Sequence, residues 1–240
     1  MAEQEVLKHT EKVVKLWSKK EHSFWYKLKE FMIEILIIVF AVTVSIWFHE
    51  RSEHAHQQKE VKEFLLGLKE DLKKDVNEMQ EDKMSFENSR KAFKYLSSLK
   101  LGKSLNDDSL NVHYRWMFNT TGLVPNNGRF EGFKSSGKIG TIENIELQND
   151  IMDLYQENIP MLILSTDNYT SKKNRLFEYY NMNVKRLTDS TSNYKAVLSS
   201  DVVFYSALGL TYIQEINSRY DLCINKIDKI IKGIDLEYKD

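Results

Sequence analysis

Cysteine, proline and glycine are all scarce in this chain. Its 240 residues include one cysteine, two prolines and nine glycines. A single cysteine, Cys223, excludes an internal disulfide. With so few prolines and glycines, long segments contain no residue that breaks a helix. The scarcity therefore favours a chain built almost entirely from helices.

An excess of charge of either sign is also missing. The formal net charge is −1, from 34 Lys and Arg against 35 Asp and Glu. This balance provides no basic footprint, so we expect no nucleic-acid partner. Residues 132–138 approach a phosphate-binding loop, but Ile139 stands where a hydroxyl residue would hold magnesium, and no buried strand precedes the loop. We therefore predict no nucleotide and no cofactor.

A long hydrophobic run occurs once, at residues 31–48, and Glu34 is its only charged residue. A helix of that length rises about 27 Å, close to the thickness of the hydrocarbon core of a bilayer. The run predicts a transmembrane helix over residues 29–49. The alternative is a helix buried inside a soluble protein.

Aromatic residues bracket this run as interfacial belts do, and small polar residues lie within it. For Glu34 we favour contact with the headgroups or with nearby lysines over a conducting role or an oligomer contact. The predicted membrane or oligomer contacts are Glu34, Trp25, Tyr26, Thr43, Ser45 and Trp47.

Lysines are denser before the run than after it, which favours a cytoplasmic N-terminus. Residues 1–28 then form a cytoplasmic or interfacial amphipathic segment, with a frayed tail as the alternative. Residues 50–240 form the extracytoplasmic part, in which glycines and a proline mark residues 102–142 as irregular.

Apolar residues recur every three or four positions over most of residues 50–240. The first helix is expected to continue from the span to about Leu99. Short helices are expected at 110–118 and 129–136. A long helix is expected from 143 to 187, with Thr141 or Asn144 capping its start and Pro160 kinking or restarting it. The predicted fold is all-α, with the transmembrane helix continuing into an elongated antiparallel helical bundle.

The last helix has the most regular spacing in the chain, a heptad pattern of just over three repeats. It predicts either a stripe facing the chain's own core or a coiled coil with a second copy. Cys223 lies in it and is expected to be a small buried hydrophobe. The predicted interaction seam is Ile213, Ile216, Tyr220, Cys223, Ile227, Ile230 and Ile234.

Three residues just past the span, His49, Glu53 and His54, are weak candidates for a metal site because some of them stand one helical turn apart. A polar or pH-sensitive collar at the interface is the alternative. No nucleophile or acid–base set converges in the sequence, so the chain is not predicted to be an enzyme.

Three segments resemble a family of single-span membrane proteins of unknown function, found mainly in Bacteroidota. Glu34-Ile35 resembles the family's entry into the span, and residues 62–75 resemble its next helix. Residues 133–147 resemble its Ser-Ser-Gly and Asn-x-x-Leu motifs. The span lacks the family's mid-helix glycine. The resemblance implies a bacterial inner membrane with the bulk of the chain in the periplasm, and it implies no activity.

The Ser-Ser-Gly sequence at residues 135–137 also has a local physical explanation. Gly137 can adopt the left-handed conformation that ends a short helix, and the two hydroxyls can bind nearby backbone groups. A ligand-binding loop is the alternative.

These patterns lead to two hypotheses about function. In the first, the chain is a membrane-anchored interaction protein, a scaffold or accessory subunit that binds the lipid bilayer and a protein partner or further copies of itself. In the second, residues 102–142 bind a small ligand outside the membrane and the signal passes through a partner.

Overall fold

The structure, a computed structural model, describes residues 11, 14–15, 24–99, 107–188 and 191–238. Across these residues no β-strand occurs, and an isolated bridge between Arg186 and Ser192 is the one β contact. The all-α prediction is confirmed. The chain divides into two compact units, Met1–Val61 and Lys62–Asp240, here called unit 1 and unit 2. Most of the predicted 1–28 segment lies outside the described residues.

The first helix, α1, runs from Phe24 to Leu96. It contains no proline and a single glycine, Gly67, so nothing in its sequence interrupts the backbone hydrogen bonds. Its end agrees with the predicted stop near Leu99 to within the usual uncertainty of helix ends. Among the described residues α1 is the one helix long and apolar enough to cross a membrane, and none of its apolar window is buried.

Eight further helical segments and one π turn lie in the described residues of unit 2. They are α2 (Asp107–Phe118), α3 (Gly128–Ser135), a 3-10 turn (Lys138–Thr141), α4 (Ile145–Asp153), a π turn (Leu154–Asn158), α5 (Ile159–Asn183), α6 (Tyr194–Leu198), α7 (Asp201–Leu210) and α8 (Gln214–Glu237). The predicted short helices and the last helix are confirmed. The sequence analysis missed α6 and α7.

The helix beginning at α4 starts where a capping residue was expected. The side chain of Asn144 accepts a hydrogen bond of 3.0 Å from the backbone N–H of Leu147, one of the donors that a helix start leaves without a partner. Asn144 was one of two predicted caps for this helix.

Pro160 restarts the helix, as predicted. Proline has no N–H, so the regular bond to the carbonyl four residues earlier is absent. The backbone compensates with the π turn, in which the N–H of Ile159 donates to the carbonyl of Leu154 five residues back. α5 then begins with Pro160 in its first turn, where the missing donor costs little.

α5 ends at Asn183, four residues before its predicted end at Leu187. The cause is Asn193, whose side-chain amide donates 3.0 Å to the carbonyl of Asn183 and whose side-chain oxygen accepts 2.5 Å from the N–H of Lys185. These bonds join Asn193 to Asn183 and Lys185 and compete with further helix.

The core of unit 2 forms where α8 packs on α4, α5 and the π turn. Polar contacts border this core. Lys69 and Asp235 form an ion pair, as do Lys83 and Asp221, and each pair joins α1 to α8. Phe86, Tyr169 and Tyr220 supply aromatic contacts inside it.

Candidate functional site

An apolar pocket of about 380 Å³ opens in unit 2 between α2, α5, α6, α7 and the end of α1. Its volume lies near the lower end of the range for small-molecule sites, about 300–1,000 Å³. The lining residues are Leu96, Leu110, Asn111, Tyr114, Met117, Phe118, Leu176, Phe177, Tyr180, Tyr194, Leu198 and Val203.

Aromatic rings form one wall of the pocket. Tyr114 and Phe118 stand four residues apart on α2 and so share a face of that helix, with ring centroids 4.6 Å apart. Phe118 stacks on Phe177 of α5 at 4.3 Å, with the ring planes 14° apart. Beneath this wall the aliphatic lining is buried, including Met117 and Leu176. The wall matches the flat shape of an aromatic ligand.

Three tyrosine side chains line the same pocket. Burial raises the pKa of Tyr180, and the neighbouring hydroxyls of Tyr114 and Tyr194 raise it further. Among the described residues, the hydroxyls of Tyr114 and Tyr180 make no hydrogen bond within the chain. Among its described lining residues there is no acid, lysine, arginine or histidine. These residues therefore offer neutral hydrogen-bonding groups and apolar contact.

A second feature is a row of buried polar residues on α1 that holds residues 119–127, a segment outside any helix. Asp75, Asp82 and Ser89 lie seven residues apart and are all buried. The side chain of Asp75 accepts hydrogen bonds from the backbone N–H of Asn126 at 3.0 Å and from its amide at 2.6 Å. Burial raises the pKa of Asp75 despite these bonds.

The other two members of the row bind nearby parts of the chain. Asp82 accepts from the hydroxyls of Thr121 and Tyr220, and Ser89 donates 3.0 Å to the carbonyl of Trp116. Because each buried polar group has a partner, we assign this row a structural role. The sequence analysis missed it. The sequence pattern that could have indicated this row is a polar residue at every seventh position within the apolar stripe of α1.

Lys173 of α5 is a further buried polar residue that the sequence did not reveal. Its ammonium group donates a hydrogen bond to the carbonyl of Asn119, the first residue of the non-helical segment 119–127. Burial lowers the pKa of Lys173. The contact supplies a partner for both groups and leaves no free amine for chemistry.

The predicted membrane contacts lie in unit 1. Trp25, Tyr26 and Trp47 are exposed, and the hydroxyl of Thr43 donates 2.8 Å to the carbonyl of Val39 within its own helix. Glu34 is partly exposed, and Ser45 is exposed. Their predicted role in contacting lipid or a second subunit stays a prediction.

The three weak metal candidates do not meet as a site. His49 and Glu53 approach to 3.9 Å, one helical turn apart, and both side chains are exposed. Among the described residues no group of three or more histidine, cysteine or acidic side chains converges, and His54 joins no such group.

All seven residues of the predicted seam on α8 are buried within the chain. This location corresponds to the first of the two interpretations, a stripe facing the chain's own core. A coiled coil between two copies would need the same side chains exposed. Cys223 is buried as expected, and burial raises the pKa of its thiol to about 11.

The Ser-Ser-Gly sequence ends α3 as its local chemistry predicts. Gly137 has φ of 74°, in the left-handed region. The hydroxyl of Ser135 donates 3.1 Å to the carbonyl of Gly132, and that of Ser136 donates 2.8 Å to the carbonyl of Phe133. Within the predicted ligand segment 102–142, the described residues that line the pocket belong to α2.

No protein family, no curated protein and no solved structure matches this chain. The resemblance to the single-span family stays a prediction, and the function is argued from the geometry alone.

Proposed function

We propose that the chain is a membrane-anchored helical interaction protein, a scaffold or accessory subunit of a bacterial inner-membrane complex. The observation that carries the proposal is the outward face of α7. Val202, Tyr205 and Leu208 repeat every three residues there and are 48%, 69% and 38% exposed. A contiguous apolar face of this kind is typical of a surface that another protein covers.

The inward face of α7 is apolar as well. Val203, Ala207 and Leu210 are buried against the rest of unit 2. A helix that is apolar on all sides normally lies inside a structure. One side of α7 already does, so the other side is the part that a partner or a second copy would cover.

The membrane anchor rests on the apolar window of α1. None of that window is buried in the chain, so the alternative of a helix enclosed in a soluble core has no support. An unburied apolar helix of this length is stable in lipid, because its backbone hydrogen bonds are all made within the helix. The lysine distribution supports a cytoplasmic N-terminus and a periplasmic unit 2.

An antiparallel bundle in unit 2 is part of the same proposal. Its support is the order of the ion pairs between α1 and α8, since Lys69 meets Asp235 and Lys83 meets Asp221. Ascending numbers on α1 face descending numbers on α8, as in an antiparallel pair of helices.

Cross-linking at α7 tests the interaction role. A photoactivatable phenylalanine analogue at position 205 of the full chain, irradiated in bacterial membranes, is expected to give a discrete adduct of higher mass. The charged variant Leu208→Glu should abolish the adduct. The matched control Leu236→Glu alters an exposed leucine on α8 and should leave it intact. The mass of the adduct distinguishes a second copy from a different protein. Absence of any adduct at 202, 205 and 208 would refute the role of this face.

A carbonate wash tests the anchor separately. The wild-type chain is expected to remain in the membrane pellet, while lysines at Ile37 and Val39 should release it because charge in the bilayer core is costly. Lysines at the exposed positions Leu222 and Leu236 serve as the control and should have no effect. Release of the wild-type chain would refute the anchor and leave the α7 result unaffected.

The pocket favours a second candidate function, the sensing of a small ligand by unit 2. Its apolar lining and hydroxyl groups are typical of small-molecule sites. A sensor of this kind acts through a partner, so it is compatible with the interaction role of α7.

A further inference from the structure

We propose that the pocket of unit 2 binds a neutral aromatic small molecule that carries a hydrogen-bonding group. The inference rests on the second candidate function, for which it names the ligand class. It does not depend on the partner of α7 or on the membrane anchor.

The neutrality of the ligand follows from what lines the pocket. None of the described residues that line the pocket carries a charge, so a carboxylate, phosphate or ammonium group would enter without a counter-ion from them. Transfer of an unpaired charge into an apolar site costs far more than the transfer of a neutral polar group. The site therefore discriminates against charged ligands.

The aromatic character follows from the wall. Phe118 and Phe177 already stack at 4.3 Å, and Tyr114 packs against Phe118. A flat ring placed beside this set gains stacking in addition to apolar burial. A flexible acyl chain would gain the burial alone.

The hydrogen-bonding group follows from the two tyrosine hydroxyls. Tyr114 and Tyr180 make no hydrogen bond within the described part of the chain, and Tyr180 is the more buried of the two. A ligand oxygen or nitrogen that reaches Tyr180 would provide the missing partner. Polar groups of this kind set the orientation of a ligand in an otherwise apolar pocket.

Benzophenone is a suitable probe because it is neutral, has two rings and one carbonyl acceptor, and on irradiation adds to nearby methionine side chains. Met117 lines the pocket and is 3% exposed, whereas Met84 and Met182 lie outside it and are 61% and 81% exposed. The full chain in lipid nanodiscs is irradiated with increasing benzophenone, and each labelled methionine is quantified by peptide mass spectrometry.

We expect saturable labelling at Met117, and labelling at Met84 and Met182 that only rises in proportion to concentration. The aromatic alcohol 2-naphthol should protect Met117, while the acyl alcohol 1-octanol should not. Protection by 1-octanol instead would assign the site to acyl chains and refute the aromatic class. Labelling that simply follows exposure, with Met117 lowest, would refute the site.

Two variants test the contacts. Tyr180→Phe keeps the shape and removes one hydroxyl, so half-saturation at Met117 should need about fivefold more benzophenone. Leu198→Trp fills the pocket and should abolish labelling at Met117 while leaving that at Met84 unchanged. The matched control, Tyr212→Phe, removes an exposed hydroxyl outside the pocket and outside the α7 face, and it should change nothing. An equal response of Tyr180→Phe and Tyr212→Phe would refute the hydrogen bond to the ligand.

Discussion

The hydroxyl of Tyr220 on α8 donates a hydrogen bond of 2.8 Å to Oδ2 of Asp82 on α1, and both residues are buried. This bond joins two residues that lie 138 positions apart in sequence, on two different helices. Burial raises the pKa of Tyr220, and the carboxylate of Asp82 raises it further, so the phenol remains a donor throughout the physiological range.

Removal of this donor should destabilise unit 2. Tyr220→Phe leaves a carboxylate oxygen of Asp82 without that partner in the interior, so the free energy of unfolding should fall by about 1.5–3 kcal/mol. Urea unfolding of the full chain in detergent, followed by circular dichroism, measures the change. The control Tyr205→Phe removes an exposed hydroxyl and should stay within about 0.5 kcal/mol of wild type. Similar losses in both variants would contradict this account of the bond.

The pairing of Asp150 with α8 should make stability depend on pH. Burial acts to raise the pKa of Asp150, but hydrogen bonds from Lys229 and Lys226, each at 2.9 Å, outweigh it and hold the pKa below its usual value. The unfolded chain therefore binds a proton at higher pH than the folded one. This contribution to stability is present above about pH 3.9 and is lost as pH falls through the lowered pKa of the folded state.

Asp150→Asn should accordingly lower the free energy of unfolding at pH 7 by about 1 kcal/mol, because both lysines are partly exposed and water screens the pairs. The difference in unfolding free energy from wild type should shrink as pH falls below about 3.9. Denaturant titrations from pH 7 to pH 3 measure it. The matched variant Asp153→Asn affects a more exposed carboxylate that also contacts Lys226, and it should have the smaller effect. A pH-independent difference would refute the ionic origin.

Gly137 has a left-handed backbone conformation and Gly140 does not, so alanine should affect stability differently at the two positions. Gly137→Ala places a side chain at φ of 74° and should cost about 1–2 kcal/mol of stability. Gly140→Ala, three residues later, has open space around the added carbon and no positive φ, so it should not show this loss. Thermal unfolding of both variants under identical conditions measures the contrast. Equal losses would show that backbone strain is not the cause.

Cys223 should be unreactive in the folded chain. Its thiol is buried, and burial raises its pKa to about 11, so very little thiolate exists at pH 8. Maleimide labelling should therefore appear only across the unfolding transition in urea. A cysteine introduced at the exposed Ser171 in a Cys223→Ala background should label at once. Rapid labelling of Cys223 without denaturant would contradict its place in the core.

Local chemistry predicted much of the fold. The spacing of apolar residues gave α1 and α8, Asn144 marked a helix start, and Gly137 marked a helix end. Pro160 marked the restart at α5. Each of these signals acts over a few residues, which is the range in which capping, backbone conformation and helical periodicity operate.

The features that the sequence analysis missed depend on contacts between distant residues or lack a periodic signal. Asp75 binds Asn126 across 51 positions, so no local pattern joins the two. Both the buried and the exposed face of α7 are largely apolar, so its sequence shows no regular change between apolar and polar residues that would indicate a helix. The pocket draws its lining from five helices, and it exists only when those helices are assembled.

The π turn before Pro160 has a consequence for sequence relationships. It contains one residue more than a regular helix needs, so both Leu154 and Tyr155 face inward. Each residue turns a helix by about 100°. Deletion of one residue here would therefore rotate every side chain of α5 away from its neighbours, unless the π turn became a regular helical turn at the same time. Homologues one residue shorter in this region should therefore also lack the proline, and the deletion and the substitution should occur as a single evolutionary step.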